Sequence, residues 1–207
     1  MANVLVEEQY LSNIGSAIRG WNGLTTTYMP SQMPAAISAI SLSGNITVDM
    51  VAERKISGEV SGTASFIYSS AFLSCSTLTA ANFPNCTAIY SSAFCTCVAL
   101  TTANFPNCTL ISSNAFYSCY ALTTASFPKC TLIGSYAFRN CYNLISVYLN
   151  NVSQVTAINA SVFYSTPIGG YSTSAGRYGS VFVPSSLYNS FITATNWASM
   201  SDRIVSM

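Results

Sequence analysis

Cysteine is the residue type whose chemistry stands out first, with eight in a chain of 207 residues and no histidine at all. Seven of them (Cys75, Cys86, Cys97, Cys108, Cys119, Cys130 and Cys141) recur every eleven residues. Thiols can ligate zinc, form bridges or act as nucleophiles. Zinc sites use pairs about two to four residues apart, commonly completed by His, and this sequence has neither a CxxC nor a His. A Ser or Cys nucleophile would likewise lack its usual base. The six carboxylates, Glu7, Glu8, Asp49, Glu53, Glu59 and Asp202, all fall in the end regions. A glycosidase-like pair would have to come from Glu53 and Glu59, whose simpler role is to solvate that end. The glycines at Gly169, Gly170, Gly176 and Gly179 lack the Lys and the strand-to-helix setting of a phosphate cradle. No catalytic, metal-ligating or cofactor-binding residue is therefore assigned, no cofactor is expected, and the expectation is a protein that is not an enzyme.

The spacing of eleven is half of a longer period. Rows beginning at Ile67, Ile89, Ile111 and Ile133 align over 22 residues, for example IYSSAFCTCVALTTANFPNCTL. The fourth row carries three extra residues before Ile158, and a degenerate fifth reads INASVFYSTPI. Phe72, Phe94, Phe116 and Phe138 fall in one column, which Phe163 continues. Leu78, Leu100, Leu122 and Leu144 make a second, and Phe83, Phe105, Phe127 and Leu149 a third. Within a row, Leu100, Ala103, Phe105 and Cys108 fit the leucine-rich pattern L-x-x-L-x-L-x-x-N/C. Ala103 and Phe105 are two apart, so on a strand they share the inner face while Thr102 and Asn104 face out. One coil cannot bury such groups alone, but stacked coils bury them as continuous columns. The fold class expected is an α/β solenoid of parallel strands, with loops or short helices as the returns.

The thiols then form two inner columns, Cys75–Cys97–Cys119–Cys141 and Cys86–Cys108–Cys130. Neighbouring coils would bring their Cα atoms to about 5 Å, which a disulfide tolerates, but in-register Cβ atoms run parallel and strain the bridge. Buried Cys acting as a small apolar side chain is the preferred reading. Cys95 lies outside both columns and is the thiol expected to be exposed.

The polar half of the chain is Ser, Thr, Asn and Tyr, since only 6% is charged and the net charge is +1. From Ser61 to Phe138 the sole charge is Lys129. Nucleic acid binding needs several phosphates neutralised, so it is not expected. No run approaches the 18 or more apolar residues of a membrane span. The opening MANVLVEEQYL has Glu7 and Glu8 where a signal peptide would be basic and then apolar, which predicts a chain made in the cytoplasm.

The ends must cap the stack. Leu11, Ile14 and Ile18 share one helical face, Gly20–Gly23 breaks the pattern, and Ser31 can cap a second helix with Met33, Ile37 and Ile40. Residues 1–43 are thus expected to form a helical hairpin for attachment or assembly. Residues 44–66 form the N-terminal cap, with Thr47 capping a helix through Ala52 and Glu53 before a starter strand KISGEVSG. The repeats occupy 67–166. Residues 167–207 supply a loop, an edge-like VFVP strand and a short helix around Leu187–Thr193.

The row C-x-x-L-T-x-A-x-F-P-x-C-T-x-I-x-x-x-A-F resembles the BspA-like leucine-rich repeats of bacterial surface proteins and their phages. The resemblance extends over roughly residues 45–207, through Val181–Leu187, Ala194–Trp197 and Asp202–Ile204. Leu11–Arg19, Tyr28–Met33 and Ala36–Ile37 look like the N-terminal hairpin of structural proteins in phages of Firmicutes. Together these imply a phage virion or tail-associated protein that displays its repeats to a host or partner. A cell-surface or secreted adhesin and a self-assembling architectural subunit remain open beside it. Partners implied are a protein or glycan on a host surface and other virion proteins, in a homo-oligomer located in the virion or, alternatively, outside the cell.

Positions that vary between rows mark candidate contact surfaces. After the column Phe stand Leu73, Cys95, Tyr117, Arg139 and Tyr164; after the column Cys stand Ser76, Val98, Tyr120 and Tyr142. Tyr117, Tyr120, Tyr142 and Tyr164 are expected to line one edge of the later coils, where amphipathic rings suit a contact surface. The alternative is that they cover the turn side or pack between coils. The outward strand positions Asn82, Asn104, Ser126 and Tyr148, beside Thr79, Thr101 and Thr123, form a second candidate. That face could meet a repetitive glycan, stay solvated, or pack on another subunit.

Overall fold

A computed structural model describes residues 57–62, 64–159, 161–171 and 176–207. The expected hairpin at 1–43 and the capping helix through Ala52 and Glu53 lie outside these residues. Within them the chain winds as a solenoid. Its strands are β1 (Ser57–Ser61), β2 (Phe66–Ile67), β3 (Thr77–Asn82), β4 (Ala88–Ile89), β5 (Thr102–Asn104) and β6 (Leu110–Ile111). They continue as β7 (Thr124–Ser126), β8 (Leu132–Ile133), β9 (Ser146–Tyr148), β10 (Ala157–Ile158), β11 (Ser180–Val183) and β12 (Ile204–Ser206). The odd-numbered strands and β12 make a seven-stranded parallel sheet ordered β1-β3-β5-β7-β9-β11-β12. The even-numbered strands β2 to β10 make a five-stranded sheet on the opposite side of the coil.

The register follows the period, with Ala81 opposite Ala103, Ala103 opposite Ala125 and Ala125 opposite Val147. Ala103 and Phe105 are both buried while Thr102 and Asn104 are exposed. The core is therefore a set of ladders. Phe72, Phe94, Phe116, Phe138 and Phe163 stack with centroid separations of 4.9, 5.1, 5.3 and 5.7 Å. Phe83, Phe105 and Phe127 form a second stack at 5.6 and 5.5 Å. The stacks meet edge-on or tilted, as Phe94 does with Phe105 at 5.8 Å, an arrangement that ring quadrupoles favour.

The first four coils each turn in a short loop where two residues adopt left-handed backbone, and the fifth keeps one of them. Ser70, Ser92, Asn114 and Tyr136 form one such column and Ser74, Thr96, Ser118, Asn140 and Ser165 the other, all with φ between 57° and 62°. The conformation costs a non-glycine residue roughly 1–2 kcal/mol, and it turns the N–H along the stack. Ser74, Thr96 and Ser118 each donate to the carbonyl of Cys95, Tyr117 and Arg139 in the next coil, at 2.8, 2.8 and 2.9 Å. The turns are thus tied coil to coil even though they carry no strand. Gly134 marks a point of close approach: a Cβ there would lie 2.6 Å from the backbone nitrogen of Ser113.

The thiols are free and take part in the ladders. Cys97, Cys119 and Cys141 donate to the carbonyls of Phe72, Phe94 and Phe116 in the preceding coil, at 2.9, 3.1 and 3.1 Å. Cys86, Cys108 and Cys130 instead donate two residues ahead, to Ala88, Leu110 and Leu132. In the fifth coil Thr166 stands where the thiol would be, fully buried, and donates to Phe163 at 2.7 Å.

At the C-terminal end, β11 pairs with β9 on one side and β12 on the other. The VFVP strand is internal, contrary to its expected edge position; β12, whose sequence is too short to signal a strand, forms the edge. A 3-10 turn (Ser185–Leu187), a helix (Tyr188–Thr193) and a second 3-10 segment (Ala198–Arg203) follow β11. They deliver Trp197 onto the last ring of the column, 6.0 Å from Phe163, with Phe191 packed against it at 5.2 Å. The indole Nε1 donates to the Thr156 carbonyl at 2.7 Å, so the cap is both apolar and hydrogen-bonded.

Candidate functional site

The outer row of the seven-stranded sheet contains all four strand positions expected there. Asn82, Asn104, Ser126 and Tyr148 lie opposite one another in successive strands, and Phe182 extends the row. The Asn104 amide Nδ2 donates to Asn82 Oδ1 at 2.9 Å. Tyr148 stacks on Phe182 at 4.7 Å. The row thus grades from an amide ladder to an aromatic pair. Two of the threonines beside it are committed elsewhere. Thr101 and Thr123 donate their hydroxyls to the carbonyls of Thr79 and Thr101, at 2.9 and 3.0 Å. Their hydroxyl protons serve the stack and are not offered outward.

The four turn tyrosines do not form one continuous edge. Tyr120 and Tyr142 stack on each other at 5.3 Å, 41% and 49% exposed. Tyr117 belongs with Arg139 and Tyr164 in the neighbouring column, and its hydroxyl accepts from Asn140 Nδ2 at 3.3 Å. The separation follows from the turn. The residue after the Phe and the residue after the Cys stand three apart, with a left-handed residue between them, so stacking runs along each column and not across.

Sequence reasoning missed several partners of these rings. Tyr136 lies in the left-handed column three residues before Arg139, and Tyr171 packs against Tyr164 with centroids 6.0 Å apart. At the other end, Phe66, Tyr68 and Tyr90 gather within 6.0–6.4 Å of one another on the rim of the five-stranded sheet. The Tyr136 and Arg139 spacing was visible in the fourth row; the Tyr171 contact, across an irregular loop, had no periodic signal.

The thiols offer little reactivity. Burial pushes Cys97, Cys119 and Cys141 up, and pushes Cys130 up to about 12. The neighbouring Cys86 and Cys108 thiols influence each other, which raises Cys108 and lowers Cys86. Cys95, expected to be exposed, is half-buried, with its sulfur 3.3 Å from Thr96 Oγ1. Its turn folds the side chain back beside the left-handed Thr96. Among the described residues no three metal-ligating side chains converge, and no helix is long and apolar enough to cross a membrane. Lys129 donates to Asn107 Oδ1 at 2.7 Å.

Comparison with known proteins places these features. The family model for the BspA type leucine-rich repeat region matches residues 65–175 in six copies, more than half of the chain. A leucine-rich-repeat protein of T. pallidum is 20% identical with a TM-score of 0.42, over 74% of this chain and 72% of that one. A leucine-rich cell surface protein of Faecalibacterium prausnitzii is 21% identical with a TM-score of 0.43, over 70% of this chain and 46% of that one. No relative was found among curated proteins. The period, the two parallel sheets and the family match agree: the chain belongs to the BspA-type leucine-rich-repeat family.

Proposed function

We propose that this protein is a non-catalytic recognition module that displays rigid aromatic and amide surfaces to a protein or glycan partner outside the cell that made it. The observation that carries this reading is the Tyr120–Tyr142 stack. Two large rings are held about half exposed on turns whose inner residues already satisfy the core. Rings with a polar tip, held in place beforehand, cover a partner with little further entropy loss. The near absence of charge suits short-range contact and not long-range steering.

The setting we favour is a phage virion or tail, on the resemblance of Leu11–Arg19 and Tyr28–Met33 to phage structural proteins; a cell-surface adhesin is the other setting. Self-association through the outer sheet row, an uncharged strand face, would add an assembly role. Immunogold microscopy of a producing culture, with antibody against the repeats, tests the setting. Label on released particles supports the virion reading, and label on cell envelopes alone replaces it with the adhesin.

A further inference from the structure

We propose that Arg139, Tyr136, Tyr164 and Tyr171 form a binding site for a sugar acid, that is, a pyranose ring bearing one carboxylate. The inference deepens the recognition reading and rests on it. The guanidinium carbon of Arg139 lies 4.7 Å from the ring centroid of Tyr164 and 5.3 Å from that of Tyr136. Tyr171 adds a ring set at 60° to Tyr164. These three phenols are 39%, 50% and 51% exposed, so each ring presents surface to solvent.

Among the described residues the cluster has no anion. Arg139 Nε is buried with no hydrogen-bond partner, so a carboxylate can meet this guanidinium only at its Nη atoms. The ion pair seen among the described residues joins Arg203 to Asp202, at the C-terminal cap. Aromatic faces hold a cation in place without neutralising it, and a planar guanidinium fork matches a carboxylate in bidentate fashion. Arg139 is thus positioned, partly desolvated and uncompensated.

The class of ligand follows from what surrounds it. One cation matches one negative charge, whereas a polyanion needs a row of them. A peptide would draw on free backbone donors, but here the N–H groups of Arg139 and Asn140 are already given to Tyr136 and Tyr164 carbonyls. Rings for the C–H face of a sugar and a guanidinium for its carboxylate are what remains.

The test is calorimetric titration of the full chain with galacturonic acid, its methyl ester, sialyllactose and an end-blocked peptide bearing a single glutamate. At least one sugar acid binds, the neutral ester binds at least tenfold more weakly than its acid, and Arg139→Gln loses at least tenfold. Tyr171→Ala, in an exposed loop, weakens binding about fivefold. The Arg139 Nε–H resonance of the unmodified chain also shifts on adding the acid, which keeps the test open if Arg139→Gln fails to fold. Binding of neither sugar acid, equal binding of the ester, tighter binding of the peptide, or an unmoved Nε–H resonance overturns the proposal. Cell binding that survives Arg139→Gln when both sugar acids fail removes this site alone and leaves the recognition reading standing.

Discussion

The thiol of Cys119 donates to the carbonyl of Phe94, 25 residues earlier, at 3.1 Å, and so ties one inner column to another across the coil boundary. A small side chain with a weak donor fits this place. A larger apolar residue would crowd the rings, and alanine would leave both a void and an unmade bond. Cys119→Ala is expected to cost about 1–3 kcal/mol, read by urea unfolding, whereas Ser76→Ala, on an exposed turn, changes stability by less than about 0.5 kcal/mol.

Alkaline sensitivity follows from the same columns. Four thiols, those of Cys97, Cys119, Cys130 and Cys141, have pKa values raised in the folded state by burial. An unfolded thiol ionises near about 8.5, so above that pH the unfolded chain has released protons that the folded chain retains. Their contribution is complete below this pH and falls as pH rises, by up to about 1.4 kcal/mol per pH unit for each thiol. Stability measured by denaturant should therefore be flat in this respect from pH 6 to 8 and drop steeply above about 9. A constant midpoint up to pH 11 would show that these thiols are not enclosed.

Thr96 occupies a left-handed turn position that Asn holds at Asn140. A β-branched side chain is poorly suited to that backbone and Asn tolerates it. Thr96→Asn should stabilise the protein by about 0.5–1 kcal/mol, visible as a higher thermal midpoint; a lower midpoint would contradict the assignment of strain there.

Gly134 leaves no room for a Cβ against the Ser113 backbone. Gly134→Ala should destabilise by about 1–3 kcal/mol, the range for overpacking, with the loss seen in equilibrium unfolding. Ser112, in the matching position of the previous coil, is half-buried and accepts substitution by Ala nearly neutrally.

Much of this architecture was legible in the sequence, because a solenoid repeats its physics. The Phe, Leu and Cys columns each recur at 22 residues, and the strands fall where Ala103 and Phe105 alternate with Thr102 and Asn104. Loss of period is where legibility ended. Strand β12 is three residues of an irregular tail, and its partner β11 reads as an edge although it lies between β9 and β12. The turn tyrosines stand at positions that vary between rows, but sequence spacing does not show that the left-handed residue between Tyr117 and Tyr120 sends them to separate columns. Arg139 was visible as the one cation in its column; its lack of a counter-ion required knowing what surrounds it.

Binding of the fluorescently labelled full chain to intact bacterial cells of several Gram-positive strains tests the central claim most directly, comparing the native sequence with a Tyr120→Ser, Tyr142→Ser, Tyr164→Ser variant at matched folded fraction. The account predicts that the native protein is retained on a subset of strains and that the variant loses at least tenfold of that retention. Equal retention of the two, or native retention no greater than that of an unrelated protein, would contradict it.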